Sequence, residues 1–138
     1  MNKILFTVTL LFSTLLLFGQ ENKQTSTPNQ EEWLVVDVQP SFPGGFGKFY
    51  SYINKNMKYP KDAKKEKIKG RVLIEFVIDS TGYIRTDSTK IIQPLFESCD
   101  LEAIRLINES PKWNPGRVTK INKNVPVRMR TPIDFKRY

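Results

Sequence analysis

The chain has 138 residues and a formal net charge of +8 at pH 7, enough for one domain with a single modest core. It contains no histidine and one cysteine, Cys99. That excludes a Ser-His-Asp or Cys-His nucleophilic site, a metal site built on imidazole, an internal disulfide and a Cys-rich zinc site. Carboxylates, lysine and tyrosine remain as catalytic types but show no paired spacing, so neither enzyme activity nor a cofactor or metal is expected.

At the N-terminus, Lys3 precedes an uncharged, mostly apolar run from Ile4 to Gly19. As a helix this run would span roughly 24 Å, short of the hydrocarbon core of about 30 Å. Residues 1–20 therefore read as a signal peptide, with a signal anchor as the less favoured alternative, and the protein is expected to be exported to the periplasm. Glu21 to Glu32 is polar and lacks a large apolar residue, the composition of a disordered tether. Trp33-Leu-Val-Val36 restarts apolar sequence as a short strand or flap, making residues 21–39 a polar linker and flap. Pro40 to Gly45 is rich in turn formers.

From Phe46 the period changes. Phe46, Phe49, Tyr50, Ile53 and Met57 form one stripe of an amphipathic helix that stops at Tyr59-Pro60. Pro60 can open a second short helix through Glu66. Arg71 to Asp79 is the clearest central strand, with Val72, Ile74, Phe76 and Ile78 on one parity. Asp79-Ser-Thr-Gly82 is a hairpin turn, and Tyr83 to Ile92 returns as a second strand. Ser98 can cap a helix running to about Glu109, with Cys99, Ala103, Leu106 and Ile107 as its buried stripe. Residues Lys112 to Gly116 break it, and Val118 to Asn124 read as a loop.

The closing strand, Val125 to Phe135, alternates with a period of two. Val125, Val127, Met129, Thr131, Ile133 and Phe135 share one face, and Pro126, Arg128, Arg130, Pro132 and Asp134 share the other. Two prolines suit a sheet edge. A basic open edge either guards against aggregation or receives a guest strand. The fold class is therefore α+β, two helices packed on a three-stranded antiparallel sheet. The lysines between 61 and 69 read first as a solvated face; with export separating the protein from most nucleic acid, nucleic-acid binding is not expected. Pro43-Gly-Gly45 lacks the Walker lysine spacing and reads as a chain turn.

Taken in order, several motifs resemble the C-terminal domain of the TonB family, in its Phe-Pro-Gly-Gly form. They are Phe42-Pro-Gly-Gly45, Ile53 with Asn56, Tyr59-Pro60 with Ala63, and Ile68-x-Gly-x-Val-x-Ile-x-Phe-x-Ile-Asp79 with Gly82. Asp100 with Glu102-Ala103, Pro111-Lys-Trp-x-Pro-Gly116, Val125-Pro-Val127 and Pro132-Ile-x-Phe135 complete the set. The resemblance covers roughly residues 40 to 136, within one domain expected over residues 40–138. It implies a non-enzymatic periplasmic module that captures an extended segment of an outer-membrane TonB-dependent transporter, or of another envelope protein, by strand addition. Tyr59, Pro60, Val125, Val127, Arg128, Met129, Arg130, Thr131 and Ile133 become the candidate partner-binding residues, and a proline at Met129 would be expected to abolish capture. A homodimer through the same edge is possible. A retained anchor would add an inner-membrane proton-channel complex as partner, although Glu21 to Pro40 reaches at most about 70 Å. The alternative function is a structural envelope protein whose basic face binds peptidoglycan or anionic surfaces.

Overall fold

The computed structural model describes residues 35–136; the expected leader, and the tether up to residue 34, lie outside the described residues. Helix α1 spans Phe46–Asn56, α2 Lys61–Lys65 and α3 Glu97–Asn108. The strands are β1 Gly70–Ile78, β2 Ile84–Gln93, β3 Gly116–Val118, β4 Lys123–Val125 and β5 Val127–Phe135. β1 lies between β2 and β5 in an antiparallel sheet, and β3 pairs with β4 as a separate small hairpin. The expected α+β class is observed, with α1 and α3 as its two longer helices and α2 as a single short one.

The alternation read in β1 is what builds the core. Val72, Ile74, Phe76 and Ile78 are fully buried, together with Ile133 and Phe135 of β5 and Cys99, Ala103, Leu106 and Ile107 of α3. Each large side chain buried this way contributes about 1.5–3 kcal/mol. Beneath α1 the core is aromatic: Trp113 meets the rings of Phe42, Phe49 and Phe76 at centroid distances of 5.3, 5.2 and 5.8 Å. Trp113 thus joins the segment after α3 to the central strand, and its indole N–H donates to the Ser110 hydroxyl at 3.0 Å.

The α1 stripe is narrower than its sequence pattern. Phe49 and Ile53 are buried, whereas Phe46 and Tyr50 are exposed. A helix lying on one side of so small a sheet buries one ridge, and Phe46 occupies the first turn, outside that ridge. The α3 boundary is also set differently from expectation. Phe96 stands at the cap position and no side chain caps the helix; the Ser98 hydroxyl instead donates to Asp62 of α2 at 2.9 Å.

The hairpin turn forms as expected at Asp79–Gly82. Asp79 accepts from the Thr81 N–H at 2.8 Å and its hydroxyl at 2.6 Å, and from the Tyr83 N–H at 3.0 Å. Gly82 has φ 95°, and a Cβ there would fall 2.1 Å from the Trp113 carbonyl oxygen, so only glycine fits. Residues 118–124, expected to loop, instead fold through β3, a short 3-10 turn at Thr119–Ile121 and β4. Val38 bridges to Arg117 on the outer side of this hairpin, and the Asp37 carboxylate accepts from the backbone and hydroxyl of Thr119. The alternation over three residues is too short to announce a strand in sequence; the pairing partners come from far along the chain.

Candidate functional site: the open edge of the sheet

β5 forms one border of the sheet. It pairs with β1 without interruption from Gly70–Phe135 to Ile78–Val127, and among the described residues no strand pairs with its outer side. The strand begins only after Pro126. Val125 therefore belongs to β4, paired with Gly116, and is not part of the closing strand as the sequence suggested. Val127 packs close to Gly116, where an added Cβ would come within 2.4 Å of the valine side chain.

The two faces of β5 differ as the alternation predicts. Thr131, Ile133 and Phe135 are buried toward the helices, and Met129 is partly buried against the same core. Arg128 and Arg130 lie on the opposite, solvent-facing side, with 66% and 60% of their side chains exposed. Between them and β2 lies a carboxylate that the sequence reading left unremarked. Glu75 of β1 is only 2% exposed, and it accepts from Arg130 Nε at 2.7 Å. Lys90 of β2 lies 3.1 Å away and Arg128 3.7 Å away. Three cations from two flanking strands thus meet one carboxylate. The Arg130 hydrogen bond, and then that of Lys90, hold the Glu75 carboxyl below its usual range against the opposing effect of desolvation. Farther along, Asp134 pairs with Arg71 at 2.8 Å and with Lys136 at 3.0 Å; the Arg71 hydrogen bond is the first cause of its lowered pKa.

Tyr59 and Pro60 sit at the corner between α1 and α2. The Tyr59 ring meets Phe135 edge-on at 5.8 Å, and its hydroxyl donates to the Ile68 carbonyl. Tyr59 is therefore partly a structural residue, tying the corner to the end of β5. The corner is also clamped from α3. Glu102, 9% exposed, accepts from the Lys58 backbone N–H at 2.6 Å and from Arg105 at 2.7 and 2.8 Å. Arg105 in turn donates to the Asn56 carbonyl at 2.9 Å, at the last turn of α1. Nothing in the local sequence around Tyr59 signals this clamp, because its partners lie more than forty positions away.

A groove runs between α1 and the C-terminal half of β5, lined by Tyr50, Ile53, Met57, Tyr59, Ile133 and Asp134 among others. Its walls are mixed apolar and polar. Of the residues singled out from sequence, Tyr59, Pro60, Val127, Arg128, Met129 and Arg130 lie along this border or at its corner. Thr131 and Ile133 lie on the same strand, but their side chains are buried toward the helices. Elsewhere, burial pushes the Cys99 thiol up to about 11, leaving it an unreactive core group. Among the described residues no three metal-ligating side chains converge, and no helix is long and apolar enough to cross a membrane.

The sequence profile of the Gram-negative bacterial TonB protein C-terminal family matches residues 55–137. Two NMR solution structures of the Helicobacter pylori TonB-CTD are similar to this chain. One is 21% identical over 67% of this chain and 79% of its own, the other 22% over 65% and 90%, each with a TM-score of 0.49. No curated protein matches.

Proposed function

The chain belongs to the family of Gram-negative bacterial TonB protein C-terminal domains, a domain of the cell envelope that serves energy-coupled transport. On that premise we propose that it is an exported binding module, not an enzyme, that captures an extended segment of an outer-membrane transporter by strand addition at β5. The carrying observation is the geometry of that border: nine consecutive pairs with β1 and, among the described residues, no strand on the other side. A straight edge of unpaired backbone groups is a template for a guest strand. Backbone hydrogen bonds supply affinity, and the exposed Arg128 and Arg130 favour an acidic guest. Tyr59-Pro60 forms the end wall of the same border.

In this reading residues 1–20 direct export, residues 21–39 tether, and residues 40–138 bind. Energy coupling then requires a partner in the inner membrane, because this module carries no chemistry of its own.

The test is a photoreactive residue in place of Arg130, in cells that export the protein. Crosslinks to an outer-membrane transporter, mapped to an extended periplasmic segment, are the expected result. Crosslinks confined to peptidoglycan would replace this reading with that of a structural envelope protein using its basic face. That second reading draws its support from the cation surplus around Glu75, and it predicts binding that weakens steeply with salt and ignores proline substitution in β5.

A further inference from the structure

The backbone of β5 carries a restriction finer than an open edge. Along a strand, N–H and C=O groups point alternately to its two sides, so the direction of one fixes the rest. Two independent observations fix it here. Pro132 lies opposite Leu73 inside an unbroken register, and a strand proline is accommodated where its nitrogen faces away from the partner strand. On the other side of β1, the Val77 N–H donates to the Ser88 hydroxyl of β2 at 3.0 Å, and the Asp79 N–H to the Tyr83 carbonyl at 2.8 Å. Odd-numbered amides of β1 therefore face β2, and even-numbered ones face β5. Both observations give one result: odd-numbered amides of β5 bond to β1, and even-numbered positions face the open side.

The even positions of β5 are Arg128, Arg130, Pro132 and Asp134, and Pro126 immediately precedes the strand. Pro132 falls on the outward parity and deletes a donor from the open side, and Pro126, just before the strand, offers no donor either. Between them stand two donors, Arg128 and Arg130. A third, Asp134, lies past the Pro132 gap, beside the groove lined by Tyr50, Met57 and Tyr59. Resting on the strand-addition reading, we propose that β5 reads its guest through a two-donor window, the amides of Arg128 and Arg130, bracketed by Pro126 and Pro132. The guest residues opposite these two arginines are acidic.

The second half follows from cross-strand geometry. Residues directly opposite each other share a face of the sheet, so the guest side chains opposite Arg128 and Arg130 lie on the solvent-facing side. There they meet a cluster of Lys90, Arg128 and Arg130 with Glu75 as its one carboxylate. Glu75 orients the arginines without neutralising the cluster. The guest residue between the two acidic ones points the other way, beside the partly buried Met129, and is apolar. The recognised element is thus acidic–apolar–acidic, held in one register. Sliding the guest by two residues places a backbone carbonyl against a proline nitrogen, with no donor to meet it.

The same parity corrects an expectation. The Met129 amide faces β1, so proline at Met129 breaks the sheet itself and does not isolate the edge. Arg130→Pro removes an outward donor, and the following strand proline at Pro132 shows that such a residue fits this backbone.

The test begins without a guest. Amide hydrogen exchange on the full chain, read by NMR, is expected to show protection at Val127, Met129, Thr131 and Ile133 and fast exchange at Arg128 and Arg130. A labelled peptide, Gly-Glu-Val-Glu-Val-Gly, then serves as probe against its Lys-for-Glu counterpart. The glutamate peptide is expected to shift the Arg128 and Arg130 amides and slow their exchange, and the lysine peptide to bind at least tenfold more weakly. Arg130→Pro should lose at least tenfold in affinity and Arg130→Gln only a few-fold. Protection at Arg128 and Arg130 in the free chain would overturn the window while leaving strand addition elsewhere on the edge open to the crosslinking test. Alternating protection with shifts confined to Asp134 and Lys136 would overturn the register alone. Alternating protection with no response to either peptide would overturn both the window and the capture reading beneath it.

Discussion

β2 and β5 flank the same central strand, yet they meet it in different ways. β5 keeps nine consecutive pairs with β1, whereas β2 shifts register twice, between Leu73 and Ile74 and between Glu75 and Val77. In the second irregularity the Ser88 hydroxyl steps into the ladder, accepting from Val77 and donating to the Arg85 carbonyl at 2.6 Å. The outer residues of β2 carry both signs of charge, with Arg85 paired to Asp87 at 3.1 Å. Bulges that twist a strand are among the devices by which proteins close an edge to other chains. β5 lacks them and carries Pro132 within the strand, with Pro126 just before it. The two borders teach that the sheet is guarded on one side by irregular backbone and filtered on the other by selected missing donors.

The largest expected effect strikes both edges alike and so calibrates the rest. Trp113→Ala empties the centre of the Phe42–Phe49–Phe76 cluster and should cost about 3–5 kcal/mol in chemical denaturation, loosening β2 and β5 together. Arg105→Ala acts at the corner beside the end of β5, where α3 clamps the end of α1. It leaves the buried Glu102 with only the Lys58 amide and should cost about 2 kcal/mol, with faster exchange at Lys58.

Acid is a gentler probe of the same side. The folded pKa values of Glu75 and Asp134 are lowered, chiefly by the Arg130 and Arg71 hydrogen bonds. Their contribution is complete above the unfolded carboxylate range and is lost as pH falls through the folded values. Melting temperature should therefore hold from neutrality to about pH 5 and decline below about pH 4, with part of that decline absent in Glu75→Gln. Smallest of all, Thr86→Pro on the β2 border, where the pairing of Arg85 with Val77 turns the Thr86 amide away from β1, should change stability by about 1 kcal/mol or less.

Much of this was legible in the chain because the elements announce themselves by local period. The Val72-x-Ile-x-Phe-x-Ile78 alternation, the Cys99–Ile107 stripe and the Asp79–Gly82 turn all appear where the pattern puts them. The polar face of β5 was legible for the same reason. What escaped notice is non-local. Glu75 gains its burial and its partners from residues 90, 128 and 130, and the Glu102–Arg105 clamp joins α3 to the end of α1. Helix patterning over-counted the stripe of α1 because amphipathicity gives direction without saying how wide a surface the sheet offers. The direction of each backbone amide in β5 was open until the register with β1 was known; after that, Pro126 and Pro132 could be read as gaps.

The central claim is that β5, and not β2, receives the partner. Its most direct test compares the two borders by one kind of change. Full-length Arg128→Pro and Thr86→Pro chains, each verified as folded, are presented with the outer-membrane protein fraction, and the captured transporter is quantified. Loss of capture by Arg128→Pro, with Thr86→Pro matching the unaltered chain, is the predicted result. Equal capture by the two variants, or loss confined to Thr86→Pro, would contradict it.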